Sequence, residues 1–325
     1  MKRTNNAFPQ QVFWVKNFVN KVNKANVTEA DWQHYDIYDI VVKQLGKTLC
    51  NISSEEKIQL KEAFGKAMSA ETLQGFAFTK PHGYAGDYEI IDKLYTFYTS
   101  PDERLVKWDE YFHSIPAVKA VRNRKTYIKN LLAEKMKMHY SEQSFEMLNL
   151  ASGPARDLFE FFNENPDASL NVDCIDLDTN AISFASKLLA PFSNRIAFHN
   201  KNVLRFHSSK CYDLVWSAGL FDYFTDDIFK RLVQKFLQNV KPGGELVIGN
   251  FCTSNPNIDY MDLLDWKLYH RSADDLIKLM ADCGVEHENI TVDKEPEGVN
   301  LFIRIKKTAF KEMADNIAGL FIELS

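Results

Sequence analysis

The chain has 325 residues, 45% hydrophobic and 13% aromatic, which suits one large or two modest buried cores and excludes a disordered composition. Its net charge of −5 argues against broad nucleic-acid binding, which needs a basic surface. Five cysteines (Cys50, Cys174, Cys211, Cys252 and Cys283) are scattered and never spaced as CxxC, so neither a disulfide framework nor a structural zinc site is expected. The opening MKRTNNAFPQ lacks the apolar run of a signal peptide, and no stretch is long and apolar enough to span a membrane. The expectation is a cytoplasmic protein without stable membrane insertion.

In chain order, the first third reads as helix. Phe8, Val12, Val15, Phe18, Val19 and Val22 recur at spacings of three and four, which marks a one-faced helix. A second starts near Thr28 and carries Trp32, Tyr35, Ile37, Tyr38, Val41, Val42 and Leu45. Ser53 or Ser54 caps a third, with Glu55 and Glu56 in its first turn and Ile58, Leu60, Phe64 and Met68 behind them. Residues 80–89, KPHGYAGDYE, read as a shaped turn bearing His82, Tyr84, Asp87 and Tyr88. Such a turn is either a functional loop on a rigid scaffold or a connector whose Gly83 and Gly86 reverse the backbone. A helical stretch with Leu105, Trp108, Tyr111 and Phe112 then runs to Pro116, and a longer helix spans Ala117–Met138. The expected organisation is a helical domain over residues 1–115, a second domain over 116–307, and an amphipathic tail over 308–325.

The second domain is organised around FEMLNLASGPARD, residues 145–157. A short apolar run breaks at Ala151-Ser152-Gly153, and Pro154 opens a pattern with Leu158, Phe161 and Phe162 on one face. That is a buried strand, a tight turn and a helix start, with Pro154 suited to a first turn. Backbone N–H groups at a helix N-terminus seat a polar or anionic ligand. A second apolar run ends in an acid at Cys174-Ile175-Asp176, the logic of a nucleotide site whose acid takes ribose hydroxyls. Further strands are expected over Ile196–His199, Tyr212–Ser217 and Gly244–Asn250. Two late ones, Asn289–Lys294 and Asn300–Ile305, are joined by the turn Glu295–Gly298. Alternating strands and helices predict an α/β domain with a mostly parallel sheet.

The series LNLASGPARD, CIDLD, YDLVWSAGLFDYF and VKPGGELVIGNF resembles the motifs of class I S-adenosylmethionine-dependent methyltransferases over residues 145–307. That family usually has an acid where this chain has Asn149 and a glycine where it has Ala151. The resemblance implies a seven-stranded, mostly parallel, Rossmann-like sheet ending in an antiparallel hairpin, with the N-terminal helices as a cap. It implies S-adenosylmethionine as cofactor, approached by Ala151, Ser152 and Gly153 at its methionine end. Asp176 would accept the ribose hydroxyls, Leu177 and Val203 would sandwich the adenine, and Asn202 would accept from its amino group. Ser217, Ala218 and Gly219 would lie beside the methyl group, and Arg124 could reach the cofactor's carboxylate.

The segments KPHGYAGDYE, GLFDYF and residues 249–276 further resemble the bacterial 3-hydroxypalmitate methyl ester, or quorum-signal, type. That narrower resemblance implies carboxyl O-methylation of a 3-hydroxy fatty acid or an acyl relative. Tyr84, Asp222, Tyr223, Tyr269 and Arg271 are the candidate catalytic residues, Arg271 because its guanidinium forks onto carboxylates. Asn250, Tyr260 and Trp266 are candidates for the same region, and no metal site is expected. Ordinary roles stand beside these: a helix cap for Asp176 or Asp222, and core packing for Tyr260 and Trp266. An amine, peptide or other metabolite as acceptor, or a methyltransferase-fold binding module without catalysis, are the alternatives. The tail, with Phe310, Met313, Ile317, Leu320 and Phe321, would dock on its own domain or on a partner subunit, making a homodimer possible.

Overall fold

The computed structural model describes residues 53–139 and 143–308, together with Val12 and Phe13. The first two expected helices, those two residues apart, and the tail beyond Thr308 lie outside the described residues. No described helix is long and apolar enough to cross a membrane. Two compact units are present: residues 53–121 with 255–267, and residues 122–139, 143–254 and 268–308. The division falls six residues beyond the expected one, inside a helix, and the first unit recruits a stretch that the sequence assigned to the second.

The first unit is helical. Helix α1, Ser54–Glu62, starts on a capping box: Ser53 Oγ accepts from Glu56 N–H at 3.2 Å, and Glu56 accepts from Ser53 N–H at 2.7 Å. It stops short of the expected Met68, because a 3₁₀ turn over Gly65–Met68 follows, entered through Gly65 at φ +55°. Helix α2, Leu73–Thr79, is capped by Thr72. The expected loop over 80–89 ends early, because Asp87 starts helix α3, Tyr88–Tyr95, accepting from the N–H groups of Glu89 and Ile90 at 2.9 and 3.0 Å. Asp87 is 2% exposed, so its carboxylate serves the helix rather than a ligand. Helix α4, Val106–Ser114, carries the fully buried Asp109, which accepts from Leu73 N–H at 2.7 Å and Ser100 N–H at 2.6 Å. One carboxylate thereby ties three segments that are apart in sequence.

Residues 255–267, with a short helix over Ile258–Leu263, complete this unit. Tyr260 packs its ring against Tyr111 and Phe112 and donates its hydroxyl to Gln74 Oε1 at 2.5 Å. Lys61 pairs with Asp265 at 2.6 Å, and Asn257 Oδ1 accepts from Ala117 N–H. Tyr260 is thus a core residue here, as the ordinary reading of it holds.

In the second unit, helix α5, Pro116–Met138, contributes its C-terminal part. Seven strands follow: β1 Phe145–Leu150, β2 Leu170–Asp176, β3 Ile196–Asn200, β4 Tyr212–Ser217, β5 Val240–Phe251, β6 Ile290–Lys294 and β7 Asn300–Lys306. Their order is β3-β2-β1-β4-β5-β7-β6, with β7 antiparallel to both β5 and β6 and the other pairs parallel. Side chains alternate between the two faces of each strand. Met147, Trp216, Val247 and Phe302 join α5 and helix α6, Arg156–Glu164, and helix α7, Thr179–Leu188, on one face. Leu148, Val215, Ile248 and Ile303 join helix α8, Asp226–Gln238, and helix α9, Ala273–Asp282, on the other. This is the expected Rossmann-like methyltransferase sheet, covered on both faces.

Replacing Tyr260 with Phe strips a buried amide of its donor while keeping the ring. Urea denaturation should show a loss of about 1–3 kcal/mol in unfolding free energy.

Candidate functional site

In an open parallel sheet, ligands gather at the carboxyl ends of the strands, where chain crossings diverge. The divergence here lies between β1 and β4. Register brings Leu150 beside Ile175, so the turn after β1 meets the end of β2. Ser152 N–H donates to Ile175 O at 3.0 Å, and Gly153 N–H donates to Asp176 Oδ2 at 2.8 Å. Asp176 Oδ1 accepts from Asp178 N–H at 2.9 Å. Burial pushes the Asp176 carboxyl up, and these N–H donors oppose the shift.

The turn itself is left-handed three times, at Ala151 (φ +53°), Gly153 (φ +54°) and Ala155 (φ +49°). Such a backbone costs a residue with a Cβ about 1–2 kcal/mol. The chain keeps the glycine-type path with alanine at two of the three positions. A Cβ built on Gly153 would meet nothing within 4 Å, and the buried Ser152 Oγ has no hydrogen-bond partner. An open approach beside an orphaned hydroxyl fits a polar ligand seated on the turn.

At the end of β4, Ser217 Oγ donates to Leu150 O at 3.4 Å and is fully buried. Ala218 and Gly219 follow, both half-buried. A Cβ on Gly219 would lie 2.5 Å from Arg124 Nη1 and 3.6 Å from Asp222 Oδ2, so the guanidinium from α5 occupies the place that a side chain would take. Arg124 also acts on Asp157, in the first turn of α6, and on Asp222, and lowers both carboxyls. Burial outweighs this: Asp157 is pushed up to about 6 and Asp222 to about 7. Asp157 is not among the residues that the sequence singles out. Its spacing to Leu158, Phe161 and Phe162 puts it on the buried face of α6, a signal present in the pattern.

The remaining candidates divide. Leu177 is 66% exposed at the end of β2, whereas Val203 is buried among Leu150, Ile175 and Phe206. Asn202 Oδ1 already accepts from Leu204 N–H at 2.8 Å, leaving one lone pair for a further donor. Asp222 accepts from Phe251 N–H at 2.6 Å, and its main-chain oxygen accepts from Tyr269 N–H at 2.7 Å. Tyr223 and Tyr269 are exposed beside it. Tyr84 belongs to the first unit, between Gly83 and Gly86, which both have positive φ.

Arg271 is a correction. It is 3% exposed, and its guanidinium donates to Asp226 Oδ1, Asn250 Oδ1, and the main-chain oxygens of Phe221, Phe224 and Tyr269. Every nitrogen is engaged, so it clamps the segment after β4 and cannot fork onto a ligand carboxylate. Asn250 is engaged likewise, its amide donating to Phe251 O and Tyr269 O. Among the described residues no group of three or more His, Cys, Asp or Glu side chains is placed to hold a metal ion.

Residues 147–244 match the family model described as a methyltransferase domain. No curated protein matches the chain. Among solved structures, a possible exported protein from Bordetella parapertussis is 17% identical, with 95% of this chain and all of that one covered at a TM-score of 0.61. That likeness is one of fold. A putative O-methyltransferase from Nostoc punctiforme is 12% identical over 75% of this chain and 73% of its own, with a TM-score of 0.49. The fold and the matched segment define a class I methyltransferase domain, and the chain is therefore an enzyme. The cofactor of that class is S-adenosylmethionine.

Asp222 gives a pH test of the site. Its folded pKa, about 7, lies above its ordinary 3.8, so its ionisation opposes folding. That opposition is absent below the ordinary value, grows as pH rises towards 7 and is complete above it. Asp222→Asn should therefore melt higher than wild type at pH 8, by at least about 2 °C, with the gain vanishing near pH 4 in thermal scans.

Proposed function

We propose that the protein transfers the methyl group of S-adenosylmethionine to a carboxyl oxygen of a 3-hydroxy fatty acid or a related acyl compound. The observation that carries the cofactor seat is the turn Ala151–Ala155, pinned to Asp176, with Arg124 packed over Gly219. Asp176 would receive the ribose hydroxyls with the lone pairs left by Gly153 and Asp178, and the exposed Leu177 would cover one adenine face. Asn202 and Val203 complete that side, and Arg124 would hold the carboxylate of the methionine end. Ser152 would offer its orphaned hydroxyl at the turn, while Ser217, Ala218 and Gly219 would line the approach to the methyl group.

When bound, the cofactor supplies an electrophilic methyl on a sulfonium, and the protein's task is to hold the acceptor in line with it. A carboxylate acceptor has no proton to lose and needs no general base. Support for this acceptor is the motif resemblance of residues 80–89, 219–224 and 249–276; Arg271 is used by the fold, and one Asp222 oxygen by Phe251 N–H. Alignment then falls to the exposed phenols of Tyr223 and Tyr269. The Asp222 carboxyl near pKa 7 favours a second reading, an amine or hydroxyl acceptor that must give up a proton. We place the protein in the cytoplasm on its scattered cysteines; the similar Bordetella protein is described as a possible exported one. A homodimer completes the proposal.

Titration calorimetry with S-adenosylmethionine and S-adenosylhomocysteine tests the seat. Saturable one-site binding is expected, and absence of binding to folded protein would overturn it. Asp176→Ala should weaken binding by roughly 1.5–3 kcal/mol for each ribose hydrogen bond removed. Methyl transfer from radiolabelled cofactor, screened on 3-hydroxy fatty acids, then amines and peptides, identifies the acceptor. Product formed only on nitrogen would displace the carboxyl reading.

A further inference from the structure

Among the described residues four buried side-chain polar atoms have no hydrogen-bond partner: Glu146 Oε2, Ser152 Oγ, Trp216 Nε1 and Asn300 Oδ1. Glu146 Oε2 has the ammonium of Lys210 at 2.7 Å, and Ser152 belongs to the turn already described. Trp216 is flanked by the rings of Tyr127 and Phe302, with centroids 6.0 and 5.8 Å away. Asn300 stands apart, because a buried carbonyl left without a donor is unfavourable and calls for a reason.

Asn300 is 0% exposed and opens β7 opposite Phe251, which puts it at the carboxyl end of β5. Its Nδ2 donates to Leu301 O at 3.0 Å, which settles which end of the amide is oxygen. Its main-chain N–H donates to Glu295 Oε1 at 3.0 Å, and Glu295 Oε2 accepts from Asn123 Nδ2 on α5 at 2.7 Å. A Cβ built on Gly249 would lie 2.3 Å from Ala218 O and 3.2 Å from Asn300 Nδ2. The amide therefore sits over Gly249 beside the main chain of Ala218, a residue given above to the approach to the methyl group. Ala218 is half-buried, so the surface of the site comes down to this point. None of these bonds uses the Asn300 carbonyl oxygen. The fold holds it in place without employing it.

Under the acceptor reading above, on which this inference rests, the cofactor takes the ends of β1, β2 and β3, and the acceptor those of β4, β5 and β7. An ionised 3-hydroxy acid carries a single hydrogen-bond donor, its 3-hydroxyl, since the carboxylate only accepts. We propose that Asn300 Oδ1 receives the 3-hydroxyl of the acceptor and makes the protein selective for 3-hydroxy over plain fatty acids. A neutral amide suits this place, because an aspartate of the same shape would repel the nearby carboxylate. Enclosure sharpens the choice: an acceptor without the hydroxyl leaves the carbonyl unpaired where water does not replace it.

The test is steady-state methyl transfer by the full-length protein to 3-hydroxypalmitate and to palmitate, with S-adenosylhomocysteine titrated in parallel by calorimetry. Wild type should favour 3-hydroxypalmitate in kcat/KM by at least about tenfold. In Asn300→Ala that preference should fall to about twofold or less, because the hydroxyl loses its partner while palmitate had none to lose. S-adenosylhomocysteine should bind variant and wild type alike. A preference undiminished in the variant overturns the proposal; so does weaker S-adenosylhomocysteine binding, which would give the amide to the cofactor. If the variant does not fold, the deletion is made in the acceptor: 3-fluoropalmitate, close in size and without a donor, should be at least about tenfold poorer than 3-hydroxypalmitate with wild type. Equal rates on the two overturn the assignment. A wild type that methylates 3-hydroxypalmitate and palmitate alike keeps the carboxyl reading and overturns this one, whereas transfer to neither acid removes both.

Discussion

The candidate site is built on one hydrogen bond, from Gly153 N–H to Asp176 Oδ2 at 2.8 Å. It joins the turn after β1 to the last residue of β2, and the parallel register makes it possible by setting Leu150 against Ile175. A buried carboxylate is unfavourable unless donors meet it. Here backbone N–H groups meet it on both oxygens, and this holds the turn in a shape that two of its residues resist. The left-handed strain at Ala151 and Ala155 persists because the strands on either side fix both ends of the turn. Shape at the turn and charge at Asp176 are therefore one feature.

The strands are legible because their signals are local. Phe145–Leu150 and Tyr212–Ser217 are mainly apolar runs closed by turn residues, and both occur as expected. The hairpin of β6 and β7 announces itself through Glu295–Gly298. Helix α3 does not, because its cap, Asp87, lies in a segment whose glycines and proline draw attention to reversal. The role of Asp109 is invisible for another reason: its partners are main-chain N–H groups outside its own helix, those of Leu73 and Ser100. The excursion of residues 255–267 is hidden likewise, since no composition change marks where a chain leaves one core for another.

Arg124 and Arg271 show what sequence cannot separate. Each lies near a tyrosine in the chain, Tyr127 for Arg124 and Tyr269 for Arg271, and each has the chemistry to hold a carboxylate. Arg271 closes a net of main-chain oxygens after β4 and pairs with Asp226, so its charge is consumed in holding the backbone. Arg124 stands against the bare Cα of Gly219, where the lack of a side chain makes room for it. The difference comes from which strand end each reaches, a matter of topology.

The path through residues 255–267 also sets an order of assembly during synthesis. Gln74 and Tyr260 form one buried bond across 186 residues of chain. At about 5–20 residues per second, roughly ten to forty seconds pass between the emergence of the two partners. Throughout that interval the helices from Ser54 to Ser114 exist without the aromatic ring and ion pair that finish their core. The nascent helical unit is thus a waiting structure with an apolar face open to chaperones, and its completion coincides with the arrival of β5 from the ribosome.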